Sequence, residues 1–152
     1  MRSDIIVVSV PGAPRGAGRQ RYRADGRNYK PKTTANYFAS LRYFARQAMA
    51  GRAPLDGPIS VMVVASFPVP KSWSRAKRNA ALALGWYTKK PDDDNIVRCL
   101  DAFTGIVWTD DCRRCELLVH KRYSVFPELR VIVRRLGPLL PPVALPEEIA
   151  RA

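Results

Sequence analysis

Apolar runs along the chain predict four β-strands. Residues 5–10 and 59–67 are rich in valine and isoleucine and are bounded by proline or glycine, as is typical of buried strands. Two later runs, 117–125 and 129–136, are separated by a short turn at Pro127. They therefore predict a pair of strands that follow one another directly in the chain.

Helical periodicity appears in two other segments. In residues 33–49, apolar side chains recur every three or four positions, which predicts an amphipathic helix packed on the core. Residues 71–84 predict a second helix, with Ser72 or Ser74 as its N-cap and Gly85 as its end.

Length and composition limit the protein to one ordinary domain. The chain has 152 residues, and we assign residues 1–137 to the domain and residues 138–152 to a proline-rich C-terminal tail. The three cysteines, an odd number, do not suggest a disulfide framework. No apolar run approaches the roughly 20 residues that a membrane-spanning helix needs. We therefore expect a cytoplasmic protein without membrane contact.

The charge changes this picture, because the chain is strongly basic. Its 26 lysines and arginines exceed its 13 acidic residues and leave a net charge of +13. Such a protein attracts polyanions, of which nucleic acid is the commonest in a cell. The carboxylates are concentrated, since six of them lie in residues 92–111. This acidic segment within a basic chain predicts a specific role for its side chains.

Two basic stretches are candidates for binding phosphate. One is the glycine-rich loop at residues 13–23, and the other is the predicted helix at residues 71–84. Trp73 and Trp86 flank that helix and could either line a nucleic-acid groove or serve as core anchors. The candidate nucleic-acid-binding residues are Arg15, Arg19, Arg21, Arg23, Lys71, Arg75, Lys77, Arg78, Lys89 and Lys90.

The acidic segment predicts chemistry as well as structure. We expect a helix to begin at Asp94 as its N-cap, with Asp92 in the extended segment after Pro91. Residues two apart in an extended segment point the same way, so Asp92 and Asp94 could face one site. Asp110 and Asp111 lie at a predicted turn into a strand. Clustered carboxylates suit Mg²⁺, although ordinary capping and turn formation would also use aspartate at these positions.

A magnesium ion on a nucleic-acid-binding surface would favour phosphodiester hydrolysis. Arg98 lies one helical turn beyond Asp94 and could meet the charge that develops on the phosphoryl oxygens. Cys99, Cys112 and Cys115 could also form a zinc site together with His120. The two later cysteines fall at a strand start with opposite facings, so buried or incidental thiols are the simpler interpretation.

The same residues also resemble a known family. Residues 90–95 (Lys-Pro-Asp-Asp-Asp-Asn), the pair Asp101-Ala102 and residues 105–111 (Gly-Ile-Val-Trp-Thr-Asp-Asp) strongly resemble RusA-type Holliday junction resolvases. The similarity covers roughly residues 5–136. It implies a single small α+β domain with a mixed or antiparallel sheet and two or three helices. It also implies a homodimer that binds four-way DNA junctions and nicks two opposed strands.

The resemblance assigns roles to individual side chains. It implies that Asp92, Asp94 and Asp111 hold Mg²⁺ and are catalytic together with Arg98, without an organic cofactor. Arg98 stands where the family pattern has lysine, and Asp101 follows Asp94 by seven positions rather than eight. Our first hypothesis is therefore a Mg²⁺-dependent junction-resolving endodeoxyribonuclease. The alternatives are a non-catalytic nucleic-acid-binding protein and a ribonuclease or general nuclease that uses the same metal site.

Overall fold

A computed structural model of the chain describes residues 5–18, 21–22, 24–26, 28–29 and 32–138. Within these ranges, three α-helices pack with a four-stranded mixed sheet in one small α+β domain, which confirms the expected fold class. The predicted tail lies outside the described residues, apart from its first residue.

The main sheet has the strand order β1-β6-β4-β5, and a short ribbon pairs β2 with β3. The strands are β1 (Ile5–Pro11), β2 (Arg21–Tyr22), β3 (Asn28–Tyr29), β4 (Ile59–Pro68), β5 (Arg114–Ser124) and β6 (Glu128–Arg135). The helices are α1 (Lys32–Met49), α2 (Arg75–Leu84) and α3 (Asp93–Val97), with 3₁₀ turns at Arg98–Phe103 and Asp111–Arg113. No helix in the described ranges has the length and apolar character needed to cross a membrane.

β4 is the central strand, and its position corrects one expectation. The two late strands exist as predicted, but they do not pair with each other. β4 lies between them, parallel to β5 and antiparallel to β6, so that Val63 is paired with both Val119 and Val131. The three residues 125–127 connect the two flanking strands. A nearly all-apolar strand such as β4 is stabilised most at the centre of the sheet, where both of its edges are hydrogen-bonded.

The core lies between one face of the sheet and α1. Phe38, Leu41 and Ala45 of α1 are buried, as the periodicity predicts. β1 was expected to be buried throughout, yet only alternate residues are: Val8 is fully buried whereas Val7 is 47% exposed. This strand lies at the edge of a sheet whose opposite face is open, so its outward side chains meet solvent.

The second helix begins later than predicted, at Arg75 rather than Lys71. Ser74 is its N-cap and accepts a hydrogen bond from the backbone N–H of Lys77 at 3.3 Å. Gly85 ends the helix with a φ of +79°, a left-handed conformation that favours glycine. No residue of α2 is buried. The helix therefore lies on the surface of the domain, with all of its residues at least partly exposed.

Candidate active site

The acidic loop, which we define as residues 91–95, leads into α3. The helix begins at Asp93, and its N-cap is Asp92 rather than the predicted Asp94. Asp92 has the extended backbone that was expected (φ −69°, ψ 158°), but its side chain makes no capping hydrogen bond. The side chains of Asp92, Asp93 and Asp94 are all exposed. Capping therefore does not account for the carboxylate of Asp92.

The glycine-rich basic loop packs directly against the acidic loop. The backbone N–H of Ala17 donates to the carbonyl of Asn95 at 2.8 Å. A Cβ added at Gly16 would lie only 2.7 Å from Cβ of Pro91. Glycine permits such a close backbone approach, and at Gly16 the close neighbour is the acidic loop itself. Arg15 lies on the same loop, and its side chain is exposed.

Arg98 forms an ion pair with Asp94 across one turn of helix. Its Nη2 lies 3.3 Å from Oδ2 of Asp94, and the two side chains are 47% and 61% exposed. Solvent screens so exposed a pair, which is worth only about 0–1 kcal/mol. The guanidinium can therefore exchange this partner for another anion at little cost.

Asp111 is held much more firmly, through a single carboxylate oxygen. Oδ1 accepts hydrogen bonds from Oγ1 of Thr104 at 2.5 Å and from Nε1 of Trp108 at 3.1 Å. Nη2 of Arg114 lies 3.6 Å from the same oxygen. Trp108 is completely buried, so these bonds tie the carboxylate to the hydrophobic core. Among the described residues, Oδ2 of Asp111 receives no hydrogen bond.

Sequence reasoning missed the three residues that hold Asp111. Thr104 precedes Asp111 by seven positions, and no spacing rule relates them. Trp108 lies in the quoted motif but was not assigned a role, although a tryptophan buried in a small domain usually needs a partner for its ring N–H. That rule is the signal that could have identified it.

Asp110 has a different role from Asp111. Its Oδ1 accepts a hydrogen bond from the backbone N–H of Cys112 at 2.9 Å, and it is the N-cap of the second 3₁₀ turn. This hydrogen bond lowers the pKa of the Asp110 carboxyl. Asp110 thus fits the capping interpretation that was left open for the acidic residues.

The carboxylates fit a hard divalent cation by their donor chemistry, since oxygen ligands are what Mg²⁺ prefers. Within the described part of the chain, however, no three His, Cys, Asp or Glu side chains are grouped closely enough to hold a metal ion. The predicted ligands Asp92 and Asp94 lie at the start of α3, and Asp111 lies at the turn before β5. The ligand set therefore stays a prediction.

The cysteines do not suit a zinc site. Cys99 is buried and its thiol donates to the carbonyl of Arg15 at 3.2 Å. Burial raises the pKa of this thiol to about 11, which disfavours the thiolate that binds zinc. Cys112 and Cys115 are both exposed, and Cys115 is the extra residue where the pairing of β4 with β5 shifts.

The predicted phosphate-binding side chains are exposed wherever they are described. These are Arg15, Lys71, Arg75, Lys77, Arg78, Lys89 and Lys90. Arg19 and Arg23 lie outside the described residues, and Arg21 is described only as part of the backbone of β2. Trp73 is half-buried and Trp86 is 56% exposed, so neither is a core anchor. Their place in a nucleic-acid groove stays a prediction.

Comparison with known proteins identifies the family. Residues 11–134 match the family described as "Endodeoxyribonuclease RusA". The chain is also 33% identical over 140 residues to "Uncharacterized protein YqaN" of Bacillus subtilis (strain 168), an alignment that covers 88% of this chain and 99% of that protein. The matched region contains every described element from α1 to β5, the acidic loop and Asp111. The chain therefore belongs to the RusA family of endodeoxyribonucleases.

Proposed function

We propose that the protein is a Mg²⁺-dependent endodeoxyribonuclease that resolves four-way DNA junctions by paired phosphodiester hydrolysis. Family membership supports the nuclease activity. The observation that carries the site is the geometry of Asp111, whose Oδ1 is fixed by Thr104 and Trp108 while Oδ2 receives no bond from the described residues. A carboxylate held in this way is pre-oriented as a ligand.

Asp92, Asp94 and Asp111 are the proposed ligands of the cation. When bound, Mg²⁺ would polarise the phosphoryl group and lower the pKa of a coordinated water. The Asp111 carboxylate contributes a fixed orientation, because it is tied to the core. Asp92 and Asp94 contribute exposed oxygens from the start of a helix, where the backbone dipole favours negative charge.

Arg98 supplies positive charge next to these ligands. In the absence of substrate it pairs with Asp94 and offsets the repulsion within the acidic loop. Because that pair is exposed and weak, the guanidinium can turn to a phosphoryl oxygen of the DNA. There it would stabilise the charge that develops in the transition state.

The remaining basic side chains are proposed to bind the DNA backbone. Arg15 lies on the loop that packs against the acidic loop, and Lys89 and Lys90 immediately precede it. The exposed helix α2 adds Arg75, among others, at the surface. A homodimer would present two such sites to a junction that is itself symmetric and must be cut twice.

Cleavage of a labelled four-way junction, compared with a linear duplex of matched sequence, tests the proposal. We expect symmetric nicks in the junction alone, with Mg²⁺ and not with EDTA. An Asp94→Asn protein purified in parallel controls for contaminating nuclease. Equal cutting of both DNAs would indicate a general nuclease. Junction binding without any cutting would indicate a non-catalytic DNA-binding protein.

A further inference from the structure

One face of the main sheet carries a row of apolar side chains that points away from α1. Val7 of β1 is paired with Ile132 of β6, and Ile132 is paired with Met62 of β4. Met62 is in turn paired with Leu118 of β5. Residues paired in this way lie side by side on one face of a sheet, so the row crosses all four strands. Their neighbours along β1, β4 and β6 point the other way and belong to the core. We call the face that carries this row the open face.

The row is accessible to solvent along its length. Val7 and Leu118, at its two ends, are each 47% exposed, and Met62 and Ile132 in the middle are half-buried. Ile5, the alternate residue of β1 before Val7, is 50% exposed. Apolar residues scattered singly over a surface are ordinary, whereas a contiguous apolar strip marks a surface that contacts another molecule.

Trp86 extends the open face beyond β5. It forms a β-bridge with Arg122, and its ring makes an edge contact with that of His120, with centroids 5.8 Å apart. His120 lies two residues after Leu118 and Arg122 a further two, so all three side chains share the open face. Nε of Arg122 accordingly donates to Oγ of Ser66 in β4, at 3.0 Å. The indole of Trp86 is 56% exposed and adds a large ring to the apolar strip.

The charged side chains of the open face nearly balance, unlike those of the whole chain. Nη2 of Arg134 lies 3.2 Å from Oε2 of Glu116, and Nη2 of Arg130 lies 2.9 Å from Oε1 of Glu128. With Arg122, the face carries three arginines and two glutamates, whereas the chain has a net charge of +13. A surface that binds the DNA backbone needs a surplus of positive charge. The open face is therefore better suited to protein than to nucleic acid.

The same charged pairs make the open face complementary to a copy of itself. Because both signs of charge flank an apolar centre, a two-fold arrangement can bring the arginines of one protomer to the glutamates of the other. The side chains of Arg134 and Glu116 are each 56% exposed, so their ion pair is weak and can be rearranged at little cost. An apolar centre with a polar rim is the usual anatomy of a protein–protein interface.

The open face is also large enough for a specific interface. The sheet has four strands, and β6 has eight residues. At about 4.8 Å between strands and about 3.4 Å per residue, the face measures about 19 Å by about 27 Å, or about 500 Å². Two such faces would bury about 1,000 Å², which is the lower limit for a specific protein–protein interface. Trp86 adds to this area.

Contact through the open face would leave the acidic loop accessible to DNA. Residues of the opposite face hold the segment before that loop, since Nζ of Lys121 donates to the carbonyl of Lys89 at 2.7 Å. The hydroxyl of Tyr87 donates to the carbonyl of Lys90 at 2.9 Å. The ring of Tyr87 stacks on Phe67, a core residue of β4, with ring centroids 3.9 Å apart. A dimer joined through its open faces would therefore carry its two acidic loops away from the interface.

We propose that the open face is the docking surface for a second copy of this chain, with the two sheets packed face to face about a two-fold axis. Sheets that pack in this way interdigitate the side chains of their facing rows. The row from Val7 to Leu118 and the ring of Trp86 form the centre of the interface, and the arginine–glutamate pairs form its rim. The inference rests on the proposed function only in that a symmetric junction is best served by a dimer.

Sedimentation equilibrium of the full chain, without DNA or Mg²⁺, tests the inference. Leu118→Glu places a charge in the apolar row. Leu117→Glu is the matched control, since Leu117 is the preceding residue of the same strand, is 45% exposed and points to the opposite face. Val7→Glu repeats the test at the other edge of the sheet, and Leu118→Met keeps the row apolar. Circular dichroism confirms that each variant is folded before it is compared.

We expect a wild-type dimer whose dissociation constant rises by more than about 100-fold in Leu118→Glu and in Val7→Glu, because a symmetric interface receives two unpaired charges at once. Leu118→Met conserves volume, and Leu117→Glu changes a side chain outside the interface. Each of these two substitutions should change the dissociation constant by less than about tenfold.

Three results would overturn the inference. A wild-type dimer that Leu118→Glu and Val7→Glu leave intact would have its interface elsewhere. Equal weakening by Leu117→Glu would show that the open face has no special part in the contact. A wild type that stays monomeric at every concentration would leave the open face to residues 139–152 or to another protein.

These results do not depend on cleavage, so the inference and the proposed function can fail separately. If the open-face substitutions break a wild-type dimer that cuts no four-way junction, the interface stands and the proposed function fails. If the wild type cuts junctions but its dimer survives these substitutions, the proposed function stands and the inference fails.

Discussion

Asp94 and Asp111 are proposed to serve one cation, yet the structure holds them in opposite ways. Asp111 is bound through Oδ1 to Thr104 and to the fully buried Trp108. Asp94 is 61% exposed, and Arg98, with which it forms an ion pair, is 47% exposed. One carboxylate is tied to the core, and the other is held only by an exposed ion pair.

In the proposed site, this difference would give the two regions distinct parts. A rigid ligand sets where a cation binds, because its orientation costs no entropy at the moment of binding. Exposed ligands on a short helix complete the shell and can give up a weak ion pair when they do so. The effects of mutations in the two regions should therefore differ in kind as well as in size.

The largest effect is expected from Asp94→Asn. Junction cleavage should fall by more than about 100-fold, exceeding the usual cost of losing an outer-shell partner of a metal ligand. Binding in EDTA should be unchanged or tighter, because one negative charge near phosphate is removed. Rates and dissociation constants measured on the same DNA check this, with Asp93→Asn as the neighbouring control that keeps its activity. Loss of binding together with cutting would contradict the role of Asp94.

Replacing Arg98 sharpens the distinction between binding and turnover. Arg98→Ala should lower the single-turnover rate by about 10²-fold. This is the lower end of the rate loss usually seen when one group that stabilises transition-state charge is removed. Affinity for the junction should change little, and the free energy of unfolding by less than about 1 kcal/mol, because the ion pair with Asp94 is exposed. Arg98→Lys should recover part of the rate. An unchanged rate in Arg98→Ala would make Arg98 a surface residue only.

The fixed side of the site can be loosened through Thr104. Thr104→Val removes the hydroxyl that donates to Asp111 and should raise the Mg²⁺ concentration needed for half-maximal cleavage by about 10- to 100-fold. Thr109→Val is the matched control, since Thr109 donates in the same way to Asp56, at 3.0 Å. Equal effects of the two substitutions would show that the hydroxyl of Thr104 does not orient a metal ligand.

The smallest expected effect tests how the acidic loop is supported. Gly16→Ala would place a methyl group against Pro91 and should reduce the free energy of unfolding by about 1–3 kcal/mol, as overpacking usually does. Gly18→Ala meets no heavy atom within 4 Å and should be neutral. Urea unfolding of both variants makes the comparison. Equal stability of the two proteins would mean that the glycine-rich loop does not depend on close contact with the acidic loop.

Local patterns predicted the elements well where the sequence marks both ends. α1 and β4 match their predicted ranges to within one residue, because periodicity and flanking proline or glycine determine them locally. The neighbours of β4 were not predictable in this way. β5 and β6 are joined by three residues and therefore resemble a hairpin in the sequence. In the sheet, however, β4 lies between them.

The supports of the candidate carboxylates were not predictable from the sequence. Spacing predicted that Asp92 and Asp94 face one site, the family resemblance added Asp111, and this ligand set stays a prediction. The bond from Thr104 and the contact of Gly16 with Pro91 arise from chain segments that the fold brings together. No spacing along the sequence encodes such contacts, so they required the structure.

The proposed site requires that the fixed and the exposed carboxylates share one cation. Titration with Mn²⁺, a paramagnetic substitute for Mg²⁺, followed by electron paramagnetic resonance tests it on wild type, Asp94→Asn and Asp111→Asn. Either substitution alone should abolish the wild-type Mn²⁺ site or greatly weaken it. Retention of full Mn²⁺ affinity in Asp111→Asn, with loss only in Asp94→Asn, would show that the two regions do not share a cation.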